Sequence, residues 1–375
     1  MGEFMNRVLV FGMTENPGGI ETFIMNYYRN IDRTQLQFDF IYNSEKVAYQ
    51  NEIEMLGGRL WYICARSANI GQYYKDIKTF FSDHASEYKA IWINMCNLSN
   101  IDYLKFAQKY RIPVRIIHSH NSKNMEGFLR EVLHRVNRHV IHKYATNYWA
   151  CSDVAGKWFY NKKVMQDKYY RVIHNAINIK QFAYNQQKRD SLRRDLGIEN
   201  KLVIGNVGRF HFQKNHEFLI RIFAEIHKRN KQSVLLLVGQ GELEADIREQ
   251  VRRLHLEEHV SFLGLRNDVS DLMSAMDVFL FPSVFEGLGI VAIEAQASGL
   301  PCIVSTEVPQ DAKVTDRIKF IPLSLSAEEW AKEVLACDSL QNSDRLEVNQ
   351  KLLNSNFNIE KEAKFIQSFF QEDKI

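Results

Sequence analysis

Short apolar runs alternate with helix-like stretches along nearly the whole chain. In the first half the runs are Arg7–Met13, Phe38–Tyr42, Leu60–Cys64, Ala90–Met95, Val114–His118, Tyr148–Cys151 and Tyr170–Ile173. In the second half they are Leu202–Val207, Val234–Val238, Val260–Leu263, Val278–Phe281, Cys302–Val304 and Lys319–Ile321. Each run is short and rich in large apolar residues, as buried parallel strands are. Their alternation with helical periodicity predicts an α/β protein with mostly parallel sheets covered on both faces.

A polar stretch, Asn178–Asn200, interrupts this rhythm where the charge balance changes sign. Residues 1–180 carry 24 Lys+Arg against 16 Asp+Glu, whereas residues 181–375 carry 24 against 29. We therefore predict two doubly wound, Rossmann-like domains facing across a cleft, residues 5–180 and 181–358. The last helix, within residues 359–375, has an apolar stripe and is a candidate to pack back across the lobes.

The composition narrows the class of protein. Apolar residues make up 45% and charged residues 25% of the 375 residues, as in soluble globular proteins, and a net charge of +3 does not suggest a nucleic-acid binder. The five scattered cysteines never form CxxC, which argues against a disulfide framework or a zinc site. With no transmembrane-length apolar run or signal core, we expect a cytoplasmic protein. We interpret residues 1–4 as a cloning remnant.

Three strand-to-helix junctions carry candidate ligand-binding residues, because doubly wound sheets bind ligands beyond the carboxyl ends of their strands. Gly18 and Gly19 precede a predicted helix, where bare backbone would let a phosphate or sugar approach the N–H groups. The alternative is a turn that merely needs glycine. Arg209 and Lys214 follow the first strand of the second half and suit a diphosphate, unless they are two solvated cations.

The most specific junction is Pro282–Ala295. A helix is predicted to start near Gly289, so the amides of Gly287 to Ile290 would face outward, ready for phosphate oxygens. Glu286 lies on the loop, whereas Glu294 lies inside an otherwise apolar helix and needs a partner, because an unpaired buried charge is costly. Sugar hydroxyls would suit both carboxylates. A structural salt bridge for Glu294 and a helix-capping role for Glu286 are the alternatives.

These two glutamates are separated by seven residues within FEGLGIVAIEAQASGLP. With GRFHFQKN upstream and PGGIE near the start, the chain closely resembles the retaining glycosyltransferases of family 4, which have the GT-B fold. HSHNS and INIKQF resemble the bacterial capsular and exopolysaccharide branch. The resemblance implies a hexosyltransferase-type enzyme that uses a nucleotide sugar, most often a UDP-sugar. Its acceptor would be a glycan or lipid-linked glycan in cell-surface polysaccharide synthesis.

The resemblance also implies a role for each matching residue. Arg209 and Lys214 would grip the donor's diphosphate and stabilise the charge that develops on the leaving nucleotide. Glu294 would bind the ribose hydroxyls and Glu286 those of the donor sugar. The family pattern puts a histidine near the reacting sugar, and His120 matches it better than its neighbour His118. The other donor contacts would come from Leu288, Gly289 and Ile290 amides, from Gly18 and Gly19 closing over the diphosphate, and from Gly239, Gly241, Leu265 and Arg266 on the nucleotide-base side.

We expect catalysis without a metal ion or other cofactor. The chain contains no DxD sequence, and Arg209, Lys214 and a helix N-terminus would hold the diphosphate instead. His118 and His120 could form half of a metal site, but no nearby carboxylate or cysteine completes it. For an enzyme of this family the favoured mechanism is same-face attack, in which the leaving phosphate deprotonates the acceptor and no protein nucleophile is required.

Two other functions stay open at this point. One is a nucleotide-sugar epimerase or hydrolase on the same architecture, and the other is a non-catalytic nucleotide-sugar-binding partner subunit. A dehydrogenase is disfavoured because GxGxxG is absent.

Lys123–Tyr144 is predicted to be a long helix with apolar residues at helical spacing and basic residues over much of the rest. One interpretation is docking onto an anionic membrane, which would place the protein at the inner face of the cell membrane. The other is a helix whose apolar side faces the core and whose basic side is solvated.

Overall fold

The computed structural model describes residues 6–121, 127–337 and 344–372. The chain divides into two compact units, one comprising Met1–Ala176 with Ile359–Ile375 and the other Ile177–Asn358. The predicted remnant at residues 1–4 lies outside the described residues.

The N-terminal unit is built on one seven-stranded sheet. Its strands are β1 (Asn6–Met13), β2 (Leu36–Tyr42), β3 (Leu60–Tyr62), β4 (Ala90–Met95), β5 (Val114–Ser119), β6 (Asn147–Ala150) and β7 (Tyr170–Val172). They pair in parallel in the order β3-β2-β1-β4-β5-β6-β7. Its helices up to the boundary are α1 (Gly19–Asn30), α2 (Gln50–Met55), α3 (Ile70–His84), α4 (Asp102–Lys109), α5 (Phe128–Val140), α6 (Asp153–Phe159) and α7 (Lys162–Met165). The direction of winding reverses between β1 and β4, which is where such sheets bind ligands.

The second unit repeats this architecture with six strands. They are β8 (Leu202–Val207), β9 (Ser233–Val238), β10 (Val260–Phe262), β11 (Val278–Phe281), β12 (Cys302–Ser305) and β13 (Ile318–Ile321). All pair in parallel in the order β10-β9-β8-β11-β12-β13. Its helices are α8 (Gln186–Asp195), α9 (His216–Arg229), α10 (Glu244–Arg253), α11 (Val269–Ala275), α12 (Ile290–Ala297), α13 (Ala327–Ala336) and α14 (Arg345–Leu352). The predicted α/β class with doubly wound parallel sheets is confirmed.

The C-terminal helix, α15 (Ile359–Gln371), belongs to the N-terminal unit. Its residues Ile359, Ala363, Ile366 and Phe370 are buried, as expected for positions that recur every three or four residues along one face. They join the cluster around Trp92 that also holds α1. Sequence-distant segments therefore complete one core.

The polar stretch 178–200, near which the domain boundary is predicted, contains helix α8. Arg189 and Arg193 on this helix are buried, and each forms an ion pair with Asp277. Both also donate to main-chain oxygens at the end of α11, such as that of Ala275, so several of their other N–H groups are paired as well. A segment with few large apolar residues can therefore pack through paired guanidinium groups.

Helix α5 faces the N-terminal unit with its polar side. His134 accepts from the Leu98 amide at 3.0 Å, Asn137 donates to the Leu98 oxygen at 2.7 Å, and Arg138 donates to the Lys157 oxygen at 2.7 Å. The opposite face is apolar and exposed, and consists of Phe128, Leu129, Val132, Leu133 and Val136. We call these five residues the outward apolar face. The interpretation of this side as core-facing is wrong, because the residues that fix the helix to the unit are polar.

The predicted extent of this helix also changes. The α-helix ends at Val140 and is followed by a 3₁₀ turn, Ile141–Lys143, while residues 122–126 lie outside the described residues. Within the described ranges, no helix is long and apolar enough to cross a bilayer.

Candidate functional site

Two loops meet where the winding of the second unit reverses, beyond the carboxyl ends of β8 and β11. Lys214 on the first loop places its Nζ 2.7 Å from Oε1 of Glu286 on the second. The Nζ atom also lies 5.0 Å from the centroid of the Phe281 ring. The side chains of Lys214 and Glu286 are only 19% and 7% exposed. The predicted cation and carboxylate therefore form a largely buried ion pair.

Gln213 and Asn215, on either side of the lysine, join the two loops. Gln213 Nε2 donates to the Phe285 oxygen at 3.0 Å and to Glu286 Oε2 at 3.3 Å, and the Gln213 oxygen accepts from the Val284 amide at 2.8 Å. Asn215 Nδ2 donates to the main-chain oxygen at position 282, 3.1 Å away. These positioning roles were not predicted from the sequence, although the two amide side chains that flank Lys214 were the available signal.

The N-terminus of α12 presents main-chain amides that are not used by the rest of the described chain. The amides of Gly287, Leu288, Gly289 and Ile290 donate to no protein acceptor within the described residues. The first turn also lacks an acidic side chain, so the positive end of the helix dipole is not balanced locally. Gly289 has φ +80°, and a Cβ there would lie 3.0 Å from a methyl group of Val308. The turn that exposes these amides therefore requires glycine at this position.

Glu294, one turn further along α12, has a carboxyl group without a partner among the residues that the structure describes. It is half-buried, and within the described residues its side chain makes no hydrogen bond or ion pair. Burial raises the pKa of Glu294 to about 8. The structural salt bridge considered for this residue is absent from the described part of the chain, and the group is mostly protonated at neutral pH unless a ligand supplies hydrogen-bond donors.

Arg209 has a different partner from Lys214. Its guanidinium lies 3.0 Å from Glu242 Oε2, and both side chains are exposed. Exposed pairs of this kind contribute little to stability, so the guanidinium can exchange partners at small cost.

The glycines after β9 have a structural explanation that needs no ligand. Gly239 has φ +137°, and a Cβ on it would lie 2.1 Å from the Gly208 oxygen. A Cβ on Gly241 would lie 2.4 Å from the Phe210 oxygen. Both glycines therefore let the loop after β9 approach the backbone of the loop after β8.

Leu265 and Arg266 follow β10, at the same edge of the sheet. Leu265 is 76% exposed, and Arg266 makes a bidentate contact with Asp268 at 2.6 and 2.8 Å. Neither contacts the ion pair of Lys214. The exposed apolar side chain of Leu265 therefore lies on the side where the nucleotide base is predicted to bind.

The β1–α1 loop of the N-terminal unit is held by Glu21. Its Oε2 accepts from the Gly18 amide at 3.1 Å, and its Oε1 accepts from both the amide and the hydroxyl of Thr14, at 3.1 and 2.5 Å. The Gly18 amide is therefore occupied, and Gly19 and Ile20 carry the amides without a protein acceptor in the described part of the chain. The role of Glu21 was not predicted from the sequence, although a glutamate at the third helical position is the capping-box signal.

His120 follows β5 and is held by Asn94. Asn94 Nδ2 donates to the Phe11 oxygen at 3.2 Å, so its Oδ1 accepts from His120 Nε2 at 2.9 Å. Burial lowers the pKa of His120 to about 3, which keeps the ring neutral and leaves Nδ1 as a hydrogen-bond acceptor. His118 stacks on it at 4.3 Å and accepts from the Trp92 indole, which gives His118 a structural role.

Comparison with known proteins agrees with this geometry. Residues 188–335 match the family model described as Glycosyl transferases group 1. The Bacillus subtilis (strain 168) protein named as glycosyltransferase EpsF is 34% identical over 354 residues, which cover 90% of each chain. The UDP-Gal:alpha-D-GlcNAc-diphosphoundecaprenol alpha-1,3-galactosyltransferase of Escherichia coli is 28% identical over 275 residues, 65% of this chain and 70% of that one.

The fold is that of solved glycosyltransferases. The crystal structure of Anabaena Alr3699/HepE in complex with UDP matches with a TM-score of 0.78 at 20% sequence identity, over 97% of this chain and 99% of that one. The same protein has also been solved in complex with UDP-glucose. The extent of the EpsF match, together with the family model, shows that the chain belongs to the group 1 glycosyltransferases and has the GT-B fold.

Proposed function

We propose that the protein is a retaining family 4 enzyme that moves a sugar from a UDP-sugar to a glycan or lipid-linked glycan in cell-surface polysaccharide synthesis. The observation that carries the proposal is the Lys214–Glu286 pair beside the N-terminus of α12, whose first amides have no protein acceptor within the described residues. The UDP and UDP-glucose complexes of HepE support the donor class. The names of the Escherichia coli relative and of EpsF support the acceptor class and the exopolysaccharide setting.

The donor's diphosphate would lie between Lys214 and the amides of Gly287–Ile290. An ammonium and a positive helix end both stabilise the charge that develops on the leaving nucleotide, and both are fixed before the reaction. When the donor binds, Lys214 would exchange Glu286 for a phosphate oxygen, and the Glu286 carboxylate would accept from hydroxyls of the donor sugar. Arg209 would leave its exposed pair with Glu242 to add a second cation.

The carboxyl of Glu294 would receive the two ribose hydroxyls. These donors would replace the protein partners that the side chain lacks, and they would favour its ionised form. On the acceptor side, the neutral His120 would accept a hydrogen bond from a sugar hydroxyl at Nδ1.

We infer same-face attack as the reaction course. The oxygen of the leaving phosphate would take the proton of the acceptor hydroxyl as the new glycosidic bond forms. The groups that would hold the diphosphate are the protein's own cations and main-chain amides, so we propose turnover without a metal ion.

The outward apolar face of α5 supports peripheral association with the inner face of an anionic membrane. Its apolar residues are exposed on one side, and Arg130 and Arg135 are exposed on the same helix. A helix with an apolar face and basic flanks binds at the interface of anionic bilayers.

Calorimetric binding of UDP-, GDP-, ADP- and TDP-sugars in EDTA tests the donor assignment. We expect selective binding of a UDP-sugar, and binding of none of the four classes would refute the donor site. Incubation with donor alone distinguishes the alternatives, because an epimerase or a hydrolase converts the donor without acceptor. Binding without turnover over a broad acceptor panel would indicate a non-catalytic partner subunit.

Substitution tests the roles of the ion pair. Lys214→Ala and Glu286→Ala should leave the protein folded and reduce transfer by about 10²-fold or more, the usual effect of losing a preorganised electrostatic group. Lys319→Ala is the matched control, since it removes an ammonium from an exposed pair with Glu333. Near-wild-type turnover in either site variant would contradict the assignment.

A further inference from the structure

Asn94 lies near the end of β4 and is almost completely buried, with 2% of its surface exposed. Its side-chain amide connects two neighbouring strand ends. On one side Nδ2 donates to the main-chain oxygen of Phe11 on β1, 3.2 Å away. On the other side Oδ1 lies 2.9 Å from Nε2 of His120, which follows β5. One neutral side chain therefore links the ends of β1, β4 and β5.

The Phe11 oxygen determines which way the Asn94 amide points. A main-chain oxygen only accepts hydrogen bonds, so it selects the NH₂ end of the amide. With the amide reversed, two carbonyl oxygens would face each other and the buried hydrogen bond to Phe11 would be lost. The oxygen Oδ1 therefore faces the imidazole of His120. Since Oδ1 can only accept, the ring proton of the neutral imidazole lies on Nε2, and Nδ1 is an acceptor.

Gly12 provides the space for this arrangement. Its φ is +136°, and a Cβ there would lie 2.8 Å from the Cβ of Asn94 and 3.0 Å from the Asn94 main-chain oxygen. A side chain at position 12 would push Asn94 away from Phe11 and His120, because a packed interior cannot absorb such an overlap. The loop after β1 therefore helps to hold the amide in place.

The imidazole of His120 is also fixed by its packing. The ring stacks on His118 with 4.3 Å between centroids, and the edge of the Phe23 ring lies 4.7 Å away. His118 is the titratable group in contact with it, and burial lowers the pKa of His118, which keeps that ring neutral too. The Nδ1 atom of His120 makes no hydrogen bond within the described residues and is not fully buried, so it is the nitrogen that a ligand can reach.

A neutral acceptor nitrogen suits glycosyl transfer in two ways. It accepts a hydrogen bond from a sugar hydroxyl, which an imidazolium cannot do because both of its nitrogens donate. It also adds no positive charge beside a sugar carbon that becomes cationic as the bond to the leaving group breaks. An aspartate at position 94 would lose both advantages, since a carboxylate in contact with histidine favours the charged ring.

We propose that Asn94 is a positioning residue for glycosyl transfer, which holds the ring proton of His120 on Nε2 and so presents Nδ1 to a sugar hydroxyl. It acts through His120 and not through a contact of its own with the substrate. This inference rests on the proposed function, since it requires His120 to contact a sugar. The tautomer itself belongs to the ligand-free protein and can be measured without any substrate.

Nitrogen NMR of the protein containing nitrogen-15-labelled histidine tests the tautomer. The His120→Gln variant identifies the signals of this ring by their absence. In wild type, Nε2 should have the shift of a protonated nitrogen and Nδ1 that of an unprotonated one. Both should stay constant from pH 5 to pH 9, because burial lowers the pKa of His120 to about 3. The opposite tautomer, or protonation of the ring in this range, would overturn the proposal.

Asn94→Asp tests why the residue is an amide. The carboxylate should raise the pKa of His120, so that both ring nitrogens become protonated as the pH falls from 9 to 5. The rate of transfer relative to wild type should then fall by about tenfold or more over the same range, the effect of losing one hydrogen bond to the reacting sugar. A merely structural defect would lower the relative rate equally at every pH.

Asn147→Asp is the matched control. Asn147 is also buried in this sheet, but its Oδ1 accepts from the Thr146 hydroxyl at 2.8 Å and not from an imidazole. Its relative rate should not depend on pH. Asn94→Leu is a second variant, which removes the acceptor without adding a charge. It should show both tautomers of His120 and transfer about tenfold more slowly at every pH, and wild-type transfer by this variant would overturn the proposal.

The outcomes separate this inference from the proposed function. If a UDP-sugar binds but the relative rate of Asn94→Asp does not change with pH, the inference is wrong and the proposed function stands. The same holds if wild type has the opposite tautomer. If no nucleotide sugar binds, the proposed function fails, and the role of Asn94 in transfer fails with it.

Discussion

Wild type should release a proton from Glu294 when it binds its sugar donor. The Glu294→Gln variant should bind the donor without this release. Burial raises the pKa of this carboxyl to about 8 in the ligand-free protein, and no protein donor stabilises its ionised form within the described residues. At pH 7 the group is therefore about 90% protonated. If two ribose hydroxyls donate to it, the ionised form is favoured and up to about 0.9 proton is released per donor bound.

Calorimetry of UDP-sugar binding in buffers of different ionisation enthalpy measures this release. The number of protons released per donor bound should fall from about 0.9 at pH 7 to about 0.1 at pH 9, because the Glu294 carboxyl of the ligand-free protein ionises over that range. A nucleotide sugar is suitable because its diphosphate is a diester without a proton that titrates near neutrality. Glu294→Gln should bind the donor with no such release.

Stability gives a second measurement with a defined sign. A carboxyl whose pKa rises from 4.5 to about 8 on folding stabilises the native state fully below about pH 4.5, and this contribution is lost as the pH rises towards 8. The change is at most about 4–5 kcal/mol, since one pKa unit corresponds to about 1.4 kcal/mol. The Gln variant should therefore lose less stability than wild type between pH 5 and pH 8.

A matched control is available in the other unit. Burial also raises the pKa of Glu362, to about 7, so Glu362→Gln should alter the pH dependence of stability. It should leave the proton release on donor binding unchanged. Equal proton release by wild type and Glu294→Gln would refute a ribose contact at this carboxyl.

Three further predictions concern loops and surfaces. Gly289→Ala should lower the free energy of unfolding in urea by about 1–3 kcal/mol and weaken UDP-sugar binding in calorimetry, because the φ of Gly289 is +80°. Gly287→Ala is the control, since its Cβ would meet nothing within 4 Å, and it should cost less than about 0.5 kcal/mol in the same unfolding assay. Glu21→Ala should cost about 1–2 kcal/mol in the same assay, since it frees the Gly18 and Thr14 donors, and an unchanged midpoint would contradict the capping role. Val132→Ser should change the free energy of unfolding by less than about 0.5 kcal/mol, yet lower the affinity for anionic phospholipid vesicles, measured by cosedimentation, by about tenfold. Undiminished binding would exclude the outward apolar face as the membrane contact.

Most of the fold followed from the sequence because strand and helix periodicity are local properties. Apolar runs such as Val278–Phe281 must be buried on both faces, and their alternation with helical spacing leaves the doubly wound parallel sheet as the arrangement that covers them. The candidate loops followed for a similar reason. Glycine before a helix and charged residues after a strand are placed at the carboxyl edge by chain order alone, as for Lys214, Glu286 and Gly289.

The partners of these residues were decided by tertiary packing. Sequence spacing placed Glu286 near a helix start, but only the meeting of two loops set its oxygen 2.7 Å from Lys214. The same packing left Glu294 without a partner in the described ranges, and it brought the Gly18 amide to the Glu21 carboxylate. A side chain's partner depends on segments that are distant along the chain, so local pattern cannot supply it.

Helix α5 shows most clearly what the sequence pattern could not decide. Its apolar period was visible in the sequence, whereas the side that faces the N-terminal unit was not. Periodicity fixes which residues share a face, and the neighbours of the helix decide which face is covered. Here the covered face is held by His134, Asn137 and Arg138 through hydrogen bonds to backbone groups, which leaves the apolar residues in contact with solvent.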